Sequence, residues 1–481
     1  MKRYLYRILT CLTLCAMLAG SLTVPASAAE FEDVPAGHWA AASIDRCVEL
    51  GFFNGETATR FGVGHQMTRS AFTVVLCRFF GWETSAPQQA VYSDVPTDVW
   101  YAGAVDAAFA HGAITNQQTA FRPADPITRE ELAVMLVRAL GYGSIAALDL
   151  GLTHPFTDVT TNAGYISMAY HLGLVSGTSD TTFSPTRSAS REQVAVILMR
   201  LYAKLRDGAP GRLAIVSSAE ELEGISAAAI PAVQLVSSKP ANTMLPEAAA
   251  ALRETARQAG IPTLLYVPAS RQSLNDVNLS VETLLAAVAA GDYDGLYLDM
   301  TKLTAKNGKA LLQLMTKLNA GLGDKALYLA ADAPVPGKKA SAYDYTALAK
   351  QADRLFLRIE PYRETVSGFV VAPPARPEDI YRTLAFLKPA VESGKLALTF
   401  SSAPSTWAKT REQPMTDDEI HQLLSNEVTA IHYSDRYACS YFISPLAKTQ
   451  IFSGWYLEED TLNARLQLAA LLGADLVCLT K

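Results

Sequence analysis

Two hydrophobic patterns divide the chain near residue 212. Before this point apolar residues recur every three or four positions, as in Leu132, Met135 and Leu136, which is the spacing of helices with one buried face. After it, short apolar runs such as LAIV and LYLD alternate with helical stretches. The 481 residues are too many for one ordinary hydrophobic core. The pattern therefore predicts at least two domains, an all-α region followed by an α/β region.

The first 28 residues fit neither pattern. Lys2, Arg3 and Arg7 precede the apolar run ILTCLTLCAMLAG, and the small residues Ala26 to Ala28 follow it. This order is typical of a cleaved secretory signal peptide, residues 1–28, with an uncleaved membrane anchor as the alternative. No other run is long enough to span a bilayer, so we expect a secreted protein without a membrane span in the mature chain.

Three segments of the first region repeat one another. FEDVPAGHWAAASIDRCVELGFFNG begins at residue 31, and related sequence returns at 92–116 and at 156–178. Each copy is followed by a loop and by a second helical segment that opens with Thr or Ser. Thr128 and Glu131 have the spacing of a capping box, in which each side chain accepts a backbone N–H at a helix start. Each repeat therefore predicts a helix–loop–helix unit. We place the units at 31–84, 92–143 and 156–206.

These repeats resemble S-layer homology modules, which occur as sets of three in bacterial cell-surface proteins. The resemblance implies a pseudo-threefold helical bundle at the cell wall or S-layer, with secondary cell-wall polysaccharide bound in the grooves between modules. An arginine of each module would hold an acidic group of the glycan, such as a ketal-linked pyruvate, because a guanidinium pairs with a carboxylate through two hydrogen bonds. The residues implied in glycan binding are Asp33, Trp39, Arg69, Asp94, Trp100, Arg129, Asp158 and Arg191.

The third repeat departs from this pattern. Counted from its aspartate, Gly164 takes the place of the tryptophan, and Ser190 replaces the threonine that precedes the arginine. We therefore expect the groove of this repeat to be weak or empty. The alternative for all three repeats is that the aspartates and arginines cap helix ends and bind no glycan.

The second region, 212–481, contains eight strand-like runs separated by helical patterns. Eight strands with helical crossovers predict a (β/α)8 barrel, so the predicted fold is multidomain, a helical bundle followed by a TIM barrel. The long connection at about 401–460 reads as hairpin strands added to the carboxyl-terminal rim. The predicted barrel strands are 212–216, 232–236, 262–267, 294–300, 326–331, 354–359, 396–400 and 474–479.

The fourth of these strands carries a carboxylate within an apolar run, GLYLDMT. Successive side chains of a strand point to opposite faces, so Tyr297, Asp299 and Thr301 should point into the barrel, with Leu298 toward the helices. Burying a carboxylate is costly unless it is paired or takes part in chemistry. TIM barrels carry their chemistry at the carboxyl ends of strands, which makes Asp299 a candidate site residue.

Three stretches of this region resemble glycoside hydrolase family 18, in its chitinase-like, spore-cortex-lytic form. They are YDGLYLDM, SAYDYTALAKQADRLFLRIEPY and SGWYLEEDTLNARLQLAALLGADLV. The resemblance implies that the acetamido group of an N-acetylated sugar attacks the anomeric carbon, that an aspartate orients it and that a glutamate protonates the leaving oxygen. Asp294 and Asp299 match the structural and the orienting aspartate, but Tyr297 replaces a further aspartate and Thr301 replaces the catalytic glutamate.

Other parts of the family's machinery also differ. Glu360 and Pro361 stand where a Tyr-Asp pair is expected, and Cys478 stands in place of a tryptophan beneath the sugar. We therefore predict a barrel without hydrolase activity that binds a glycan or a partner or has a structural role. The barrel residues predicted to contact a ligand are Tyr297, Asp299, Thr301, Glu360 and Tyr362.

Two alternatives stay open. In the first, the barrel is an active hydrolase of peptidoglycan or N-acetylglucosamine polymers, and Glu360 or Asp332 forms a new carboxylate pair with Asp299. Those two carboxylates could equally be rim charges paired with Arg358 or Arg363. In the second, the barrel comes from a different glycosidase-like lineage.

Charge and cysteine usage narrow the partners. The formal net charge of −6 excludes binding of nucleic acid or of an anionic wall through bulk electrostatics, so wall binding needs specific sites. The chain has no CxxC, no metal-type His/Cys spacing and no P-loop, and we predict neither a metal nor a cofactor. Beyond the signal region, the cysteines are predicted to be buried free thiols, with a Cys47–Cys77 disulfide as the alternative. They are Cys47, Cys77, Cys439 and Cys478.

Overall fold

A computed structural model describes residues 31–480 except 116–119, 149, 153, 237–238, 335–340, 393 and 448–449. The chain forms two compact units, Met1–Asp207 and Gly208–Lys481. The predicted signal peptide, residues 1–28, lies outside the described residues. None of the helices within the described ranges is both long and apolar enough to cross a membrane.

The first unit is helical, and each repeat contributes a first and a second helix. The first helices are α1 (Ala41–Glu49), α3 (Ala102–Ala110) and α6 (Ala163–His171). The second helices are α2 (Arg69–Phe80), α4 (Arg129–Ala139) and α7 (Arg191–Arg206). A one-turn helix, α5 (Gly143–Ala146), lies between the second and third repeats.

The second helices start at the predicted residues. Thr68 and Thr128 are N-caps whose side chains accept the N–H of Ala71 and Glu131 at 3.2 Å. Glu131 in turn accepts the N–H of Thr128 at 3.0 Å, which completes the predicted capping box. Such bonds satisfy N–H groups that have no partner inside the helix, so the Thr-Arg dipeptides fix where α2 and α4 begin.

The three repeats close into a ring. Each first helix packs against the second helix of the preceding repeat, α3 against α2 and α6 against α4, and α1 closes the ring against α7. Around the centre, Met67 N–H donates to Ala189 O at 3.0 Å, Ile127 N–H to Met67 O at 2.8 Å, and Ala189 N–H to Ile127 O at 2.9 Å. The predicted pseudo-threefold bundle is confirmed.

The helix register corrects the alignment of the third repeat. The first helices are each nine residues long, and Trp39 and Trp100 lie two residues before the starts of α1 and α3. The residue two places before α6 is Thr161, not Gly164. Counting from Asp158 was wrong because the third repeat is shorter between its aspartate and its first helix.

Gly164 instead corresponds to Gly103, the second residue of α3. A Cβ at Gly164 would lie 2.0 Å from the carbonyl oxygen of Ala146, and one at Gly103 would lie 2.5 Å from that of Ser85. Both glycines therefore allow the chain that links two repeats to pass close to a first helix. Gly164 is therefore a packing residue, and it does not occupy the position that Trp39 and Trp100 have in the first two repeats.

The second unit is a closed parallel barrel of eight strands, which confirms the predicted TIM-barrel fold. In barrel order the strands are β1 (Gly211–Ile215), β17 (Leu476–Thr480), β11 (Leu396–Ser401), β8 (Arg354–Arg358), β7 (Ala326–Asp332), β6 (Gly295–Asp299), β5 (Thr263–Pro268) and β2 (Ala227–Ile230). The crossover helices are α8 (Pro246–Gln258), α9 (Val277–Ala290), α10 (Gly308–Leu322), α11 (Tyr345–Ala349), α12 (Pro377–Leu387) and α14 (Glu459–Leu471). Single-turn 3-10 helices occur at Ala219–Leu222, Arg271–Asn275 and Ala305–Asn307.

One predicted barrel strand is wrong. Residues Val233–Val236 form β3, which pairs with β4 (Lys239–Asn242) in a separate hairpin, and the second barrel strand is β2. The sequence of β2, AAAI, has low strand propensity. All four of its residues are buried, so their position between β1 and β5 determines the strand.

Hairpin strands follow β11 in the long connection, as predicted, and a further hairpin follows β8, which was not predicted. β9 (Glu364–Val366) pairs with β10 (Phe369–Val371). The long connection forms one antiparallel sheet with helix α13 (Asp417–Leu424) inserted in it. In sheet order its strands are β13 (Arg411–Glu412), β12 (Ser405–Ala408), β16 (Gln450–Tyr456), β15 (Cys439–Ala447) and β14 (Ala430–Ser434). Trp407, Trp455, Cys439 and Val370 pack together, which joins this sheet to the β9–β10 hairpin.

The cysteines outside the signal region are free and buried, as predicted. Cys47 and Cys77, the alternative disulfide pair, contact the carbonyl oxygens of Ala195 and Ala104 at 3.6 and 3.3 Å. Burial raises the pKa of both thiols to about 12. They are therefore apolar packing residues rather than reactive groups.

Candidate functional site

The repeat aspartates bind the loop between the two helices of their own repeat. The Asp33 carboxylate accepts the backbone N–H groups of Phe61, Gly62 and Val63 at 2.8, 2.7 and 2.9 Å. Asp94 and Asp158 make the equivalent bonds at 2.7–2.8 Å. Burial opposes ionisation of Asp33, but these hydrogen bonds outweigh it and hold its pKa below the usual value. The aspartates are loop ties, and they do not cap helices.

The repeat arginines bind the same loops from the preceding repeat. The Nε groups of Arg69, Arg129 and Arg191 donate at 2.8 Å to the carbonyl oxygens of Phe121, Phe183 and Phe61, respectively. Each guanidinium also lies over the ring of that phenylalanine, 4.6–4.9 Å from its centroid. Each loop is therefore held twice, by an aspartate of its own repeat and by an arginine of the preceding one. Because the third arginine binds the first loop, the ring closes here as well.

The three arginines differ in their charged neighbours. Arg69 is 8% exposed and pairs with Glu131 at 2.9 Å; the same carboxylate also binds Arg122. Arg191 lies 3.7 Å from Glu56. Arg129 has no ion pair within the described parts of the chain. Burial lowers the pKa of all three guanidinium groups.

Exposed aromatic side chains lie just before the first helices of the first two repeats. Trp39 and Trp100 are 62% and 70% exposed, unusual for side chains of this size, and an exposed ring suits stacking on a sugar. A cavity of about 430 Å³ is lined mainly by residues of the second repeat, together with Arg69 of the first repeat and Asn162 of the third. The bundle therefore presents buried cations and exposed aromatic rings near the ends of its helices.

At the barrel mouth, Asp299 is closed off by three side chains. It lies at the end of β6 and is 7% exposed. Its carboxylate accepts hydrogen bonds from the hydroxyls of Tyr266 at 2.7 Å and Thr301 at 3.0 Å, and from Arg358 at 2.5 Å. Among the residues that the structure describes, the ionic partner of this carboxylate is a guanidinium and no second carboxylate binds it.

Thr301 uses its hydroxyl in the same cluster. It donates to Asp299 and accepts from a second guanidinium nitrogen of Arg358 at 3.1 Å. Burial lowers the pKa of Arg358, but the Asp299 carboxylate raises it further, so the net shift is upward. At the place of the expected proton donor there is a bonded hydroxyl beside a permanent cation.

The predicted partner of Asp299 was wrong. Tyr297 and Thr301 share the inward face of β6 with Asp299, and hydroxyls nearby were the expected partners of the carboxylate, but the Tyr297 hydroxyl lies 3.3 Å from Thr399 Oγ1 instead. Tyr297 does point into the barrel as predicted, where it packs with Phe356 and Cys478 in the interior cluster. Burial raises its pKa well above the usual value. It fills the lumen below the mouth.

The other predicted barrel residues are dispersed. Asp332 accepts hydrogen bonds from the Lys302 N–H at 2.8 Å and the Tyr343 hydroxyl at 3.1 Å. Glu360 is exposed. Tyr362 lies beneath Arg376, whose guanidinium is 3.7 Å from its ring centroid. Neither Asp332 nor Glu360 shares a hydrogen bond or ion pair with Asp299 in the described structure.

Two residues of this site were missed. Tyr266 and Arg358 bind Asp299, and Arg358 had been considered only as a partner of rim carboxylates. The strand RLFLR offered a signal, because Arg358 has the same parity as Phe356, which points inward. Its counterpart Arg363 faces elsewhere, 4.2 Å from the ring centroid of Trp407. Within the described residues there is no cluster of His, Cys, Asp and Glu that could hold a metal.

The fold and these grooves define a class of cell-surface protein with an anchoring bundle. Residues 30–73, 91–133 and 155–195 match the S-layer homology domain, so the three repeats are S-layer homology domains. An endoglucanase of Bacillus sp. (strain KSM-635) is 31% identical over 185 residues, which cover 36% of this chain and 19% of the relative. S-layer protein EA1 of Bacillus anthracis is 28% identical over 184 residues, which cover 37% and 21%. The chain thus spans about a fifth of the length of these relatives. The domains and the S-layer relatives indicate a cell-surface or cell-wall location.

The barrel is similar in fold to chitinases. A chitinase from Chromobacterium violaceum ATCC 12472 superposes with a TM-score of 0.50 and 14% identity, covering 56% of this chain and 93% of that chain. At this identity the similarity shows the fold alone. It confirms, for the fold, the resemblance to glycoside hydrolase family 18.

Proposed function

We propose that this protein binds cell-wall polysaccharide non-covalently through its S-layer homology domains and displays a barrel that binds N-acetylated glycan without cleaving it. The observation that carries the second half is the closed cluster of Asp299, Arg358 and Thr301. The first half rests on the three domains and on their grooves of arginine and exposed tryptophan.

Substrate-assisted hydrolysis needs two groups that this mouth does not offer. An aspartate must be free to orient the acetamide, and an acid must protonate the leaving oxygen near neutral pH. Asp299 is occupied by a guanidinium and two hydroxyls, and freeing it would leave a buried charge without a partner. The Thr301 hydroxyl is far too weak an acid to protonate a leaving group at such pH. Arg358 supplies only a permanent cation.

The barrel half is tested on the full chain with peptidoglycan and with N-acetylglucosamine oligomers. We expect retention on these glycans and no increase in reducing ends over buffer. Asp299→Ala and Glu360→Ala serve as matched variants. Release of reducing ends by the wild type that disappears in either variant would show an active hydrolase and overturn this assignment.

The anchoring half is tested with purified cell walls. With soluble N-acetylglucosamine oligomers present to occupy the barrel, the full chain should bind intact walls and lose binding when secondary polysaccharide is extracted while peptidoglycan is kept. Retention on the extracted walls would contradict polysaccharide anchoring. The barrel's own affinity for peptidoglycan is separated by competition with soluble N-acetylglucosamine oligomers, which should not release the anchored protein from intact walls.

A further inference from the structure

The antiparallel sheet of the long connection has two edges, and they differ in their protection. One edge is β13, which is two residues long and consists of the charged residues Arg411 and Glu412. The other edge is β14, whose five residues AIHYS include no Lys, Arg, Asp, Glu or Pro. Short length, charge and proline are the usual means by which sheet edges are kept from pairing with other chains. Of the two edges, β14 lacks this protection.

The outer side of β14 is open to solvent. The strand pairs with β15 on one side, and no strand in the described part of the chain pairs with its other side. Ala430, His432 and Tyr433 are exposed, and Val428, just before the strand, is 57% exposed. An open edge presents a row of backbone N–H and C=O groups, and here apolar side chains accompany them. The edge therefore offers both the hydrogen bonds and the apolar contacts of a strand pair.

The sequence of β14 is self-complementary in one antiparallel register. When two copies pair with His432 opposite His432, Ile431 of each copy lies opposite Tyr433 of the other, so a β-branched residue meets an aromatic one twice. Centring the pair on Ile431 instead places Glu427 opposite Asp435, two like charges. Centring it on Tyr433 places Ile431 opposite Asp435. Aromatic pairs with β-branched residues stabilise a sheet and like charges destabilise it, which favours the centre at His432.

We propose that β14 is an interaction surface for a second copy of this chain, which pairs with it antiparallel and extends the sheet across both copies. The contact uses the same edge of each copy, so it closes as a two-fold dimer. Growth into a filament would need β14 to pair with β13, which is short and charged. Two five-residue strands bury less than the roughly 1,200 Å² of a stable complex, so the dimer is weak in solution. Chains held on one surface by the proposed anchoring would meet at a higher effective concentration.

Sedimentation equilibrium of the full chain measures the dimer, at concentrations up to about 0.5 mM because the interface is small. We expect a reversible monomer–dimer equilibrium. Ile431→Lys places a charge on the edge, and the two-fold symmetry makes it act twice, so the dissociation constant should rise about tenfold or more. The matched control is Val366→Lys on β9, where a β-branched residue is 48% exposed away from this edge. It should leave the constant within about twofold. Circular dichroism checks that both variants are folded.

A cysteine at the centre of the pair tests the register. Opposed residues of antiparallel strands have Cα atoms about 4.5–5.5 Å apart, within the reach of a disulfide. His432→Cys should therefore form a covalent dimer in oxidised glutathione, seen on a non-reducing gel. In Ala430→Cys the two new thiols would be offset along the strands by about 13 Å, too far for a disulfide. The wild type is the blank, because burial raises the pKa of its cysteines outside the signal region to about 12.

The outcomes separate this inference from the proposed function. A wild type of monomer mass throughout the concentration series would overturn it, and so would a dimer that Ile431→Lys leaves unchanged. Equal cross-linking of His432→Cys and Ala430→Cys would show random collision and overturn it as well. Ile431→Lys should bind cell walls like the wild type. A wild type that dimerises but fails to bind walls would contradict the anchoring and leave the pairing of β14 in place.

Discussion

The charged motif residues of the two units have different surroundings. In the bundle, Asp33 and Arg191 hold the loops that build the grooves, so a residue that serves the fold also shapes the binding surface. In the barrel, Asp299 lies at the end of β6, and its carboxylate is bound by Arg358 and by the hydroxyls of Tyr266 and Thr301. A motif residue shows its present role through what it contacts. Loss of a bundle arginine should therefore affect stability and wall binding together, whereas breaking the pair of Asp299 and Arg358 should affect the stability of the barrel and leave wall binding unchanged.

The largest effect is expected from Arg69→Ala. The change removes the tie to Phe121 and the contact with its ring, and it leaves Glu131 paired with the more exposed Arg122 alone; we expect a cost of about 3–5 kcal/mol. Denaturant unfolding followed by the helical signal measures the loss. Arg69→Ala with Glu131→Gln should recover little of it, since Arg122 still compensates the Glu131 charge in the single variant. If stability were unchanged and wall binding lost, the arginine would act on the ligand only. The bundle arginines would then not serve the fold and the binding surface together.

A smaller loss is expected from Arg358→Met in the barrel. The variant leaves the buried Asp299 carboxylate with hydroxyl partners only, and we expect a cost of about 2–4 kcal/mol, reduced because the arginine is partly exposed. The double variant Asp299→Leu with Arg358→Met should be more stable than Arg358→Met alone. A double-mutant cycle measures this coupling. Additive effects would show that the two side chains do not stabilise each other.

The sequence predicted the fold better than the site, for physical reasons. The hydrophobic period and the capping residues are properties of short stretches of sequence. The helices that begin after Thr68 and Thr128, and most barrel strands, could therefore be predicted directly. β2 could not, because the burial of AAAI comes from neighbouring strands. The pairing of Asp299 with Arg358 joins residues 59 apart in the chain, across one intervening strand. The alternation of side chains along a strand shows which residues point into the barrel. It does not show which of these residues pair with one another.

Acid should weaken the bundle through its loop aspartates. The folded pKa of Asp33 is below its usual value, so ionisation adds stability above the unfolded pKa of about 3.9, and this is lost as the pH falls through the folded value. Asp158 behaves in the same direction because the Phe183 N–H lowers its pKa. In Asp33→Asn the unfolding midpoint should fall less steeply between about pH 4 and pH 2 than in the wild type. An equally steep fall would assign the acid sensitivity to other groups.

The smallest effect is expected from Thr301→Glu, which tests whether one residue separates the barrel from an active enzyme. The new carboxylate would lie beside Arg358, which already contacts the hydroxyl at this position at 3.1 Å. An ion pair with that guanidinium favours the ionised form and lowers the pKa of the glutamate, the opposite of what a general acid requires. We therefore expect no release of reducing ends from N-acetylglucosamine oligomers between pH 5 and pH 8. Arg358→Met in the same background removes the cation, and only this double variant has both a protonatable glutamate and an unpaired Asp299. Activity in Thr301→Glu alone would show that Asp299 can exchange Arg358 for a substrate, and the closed cluster would then be a resting state of a working site.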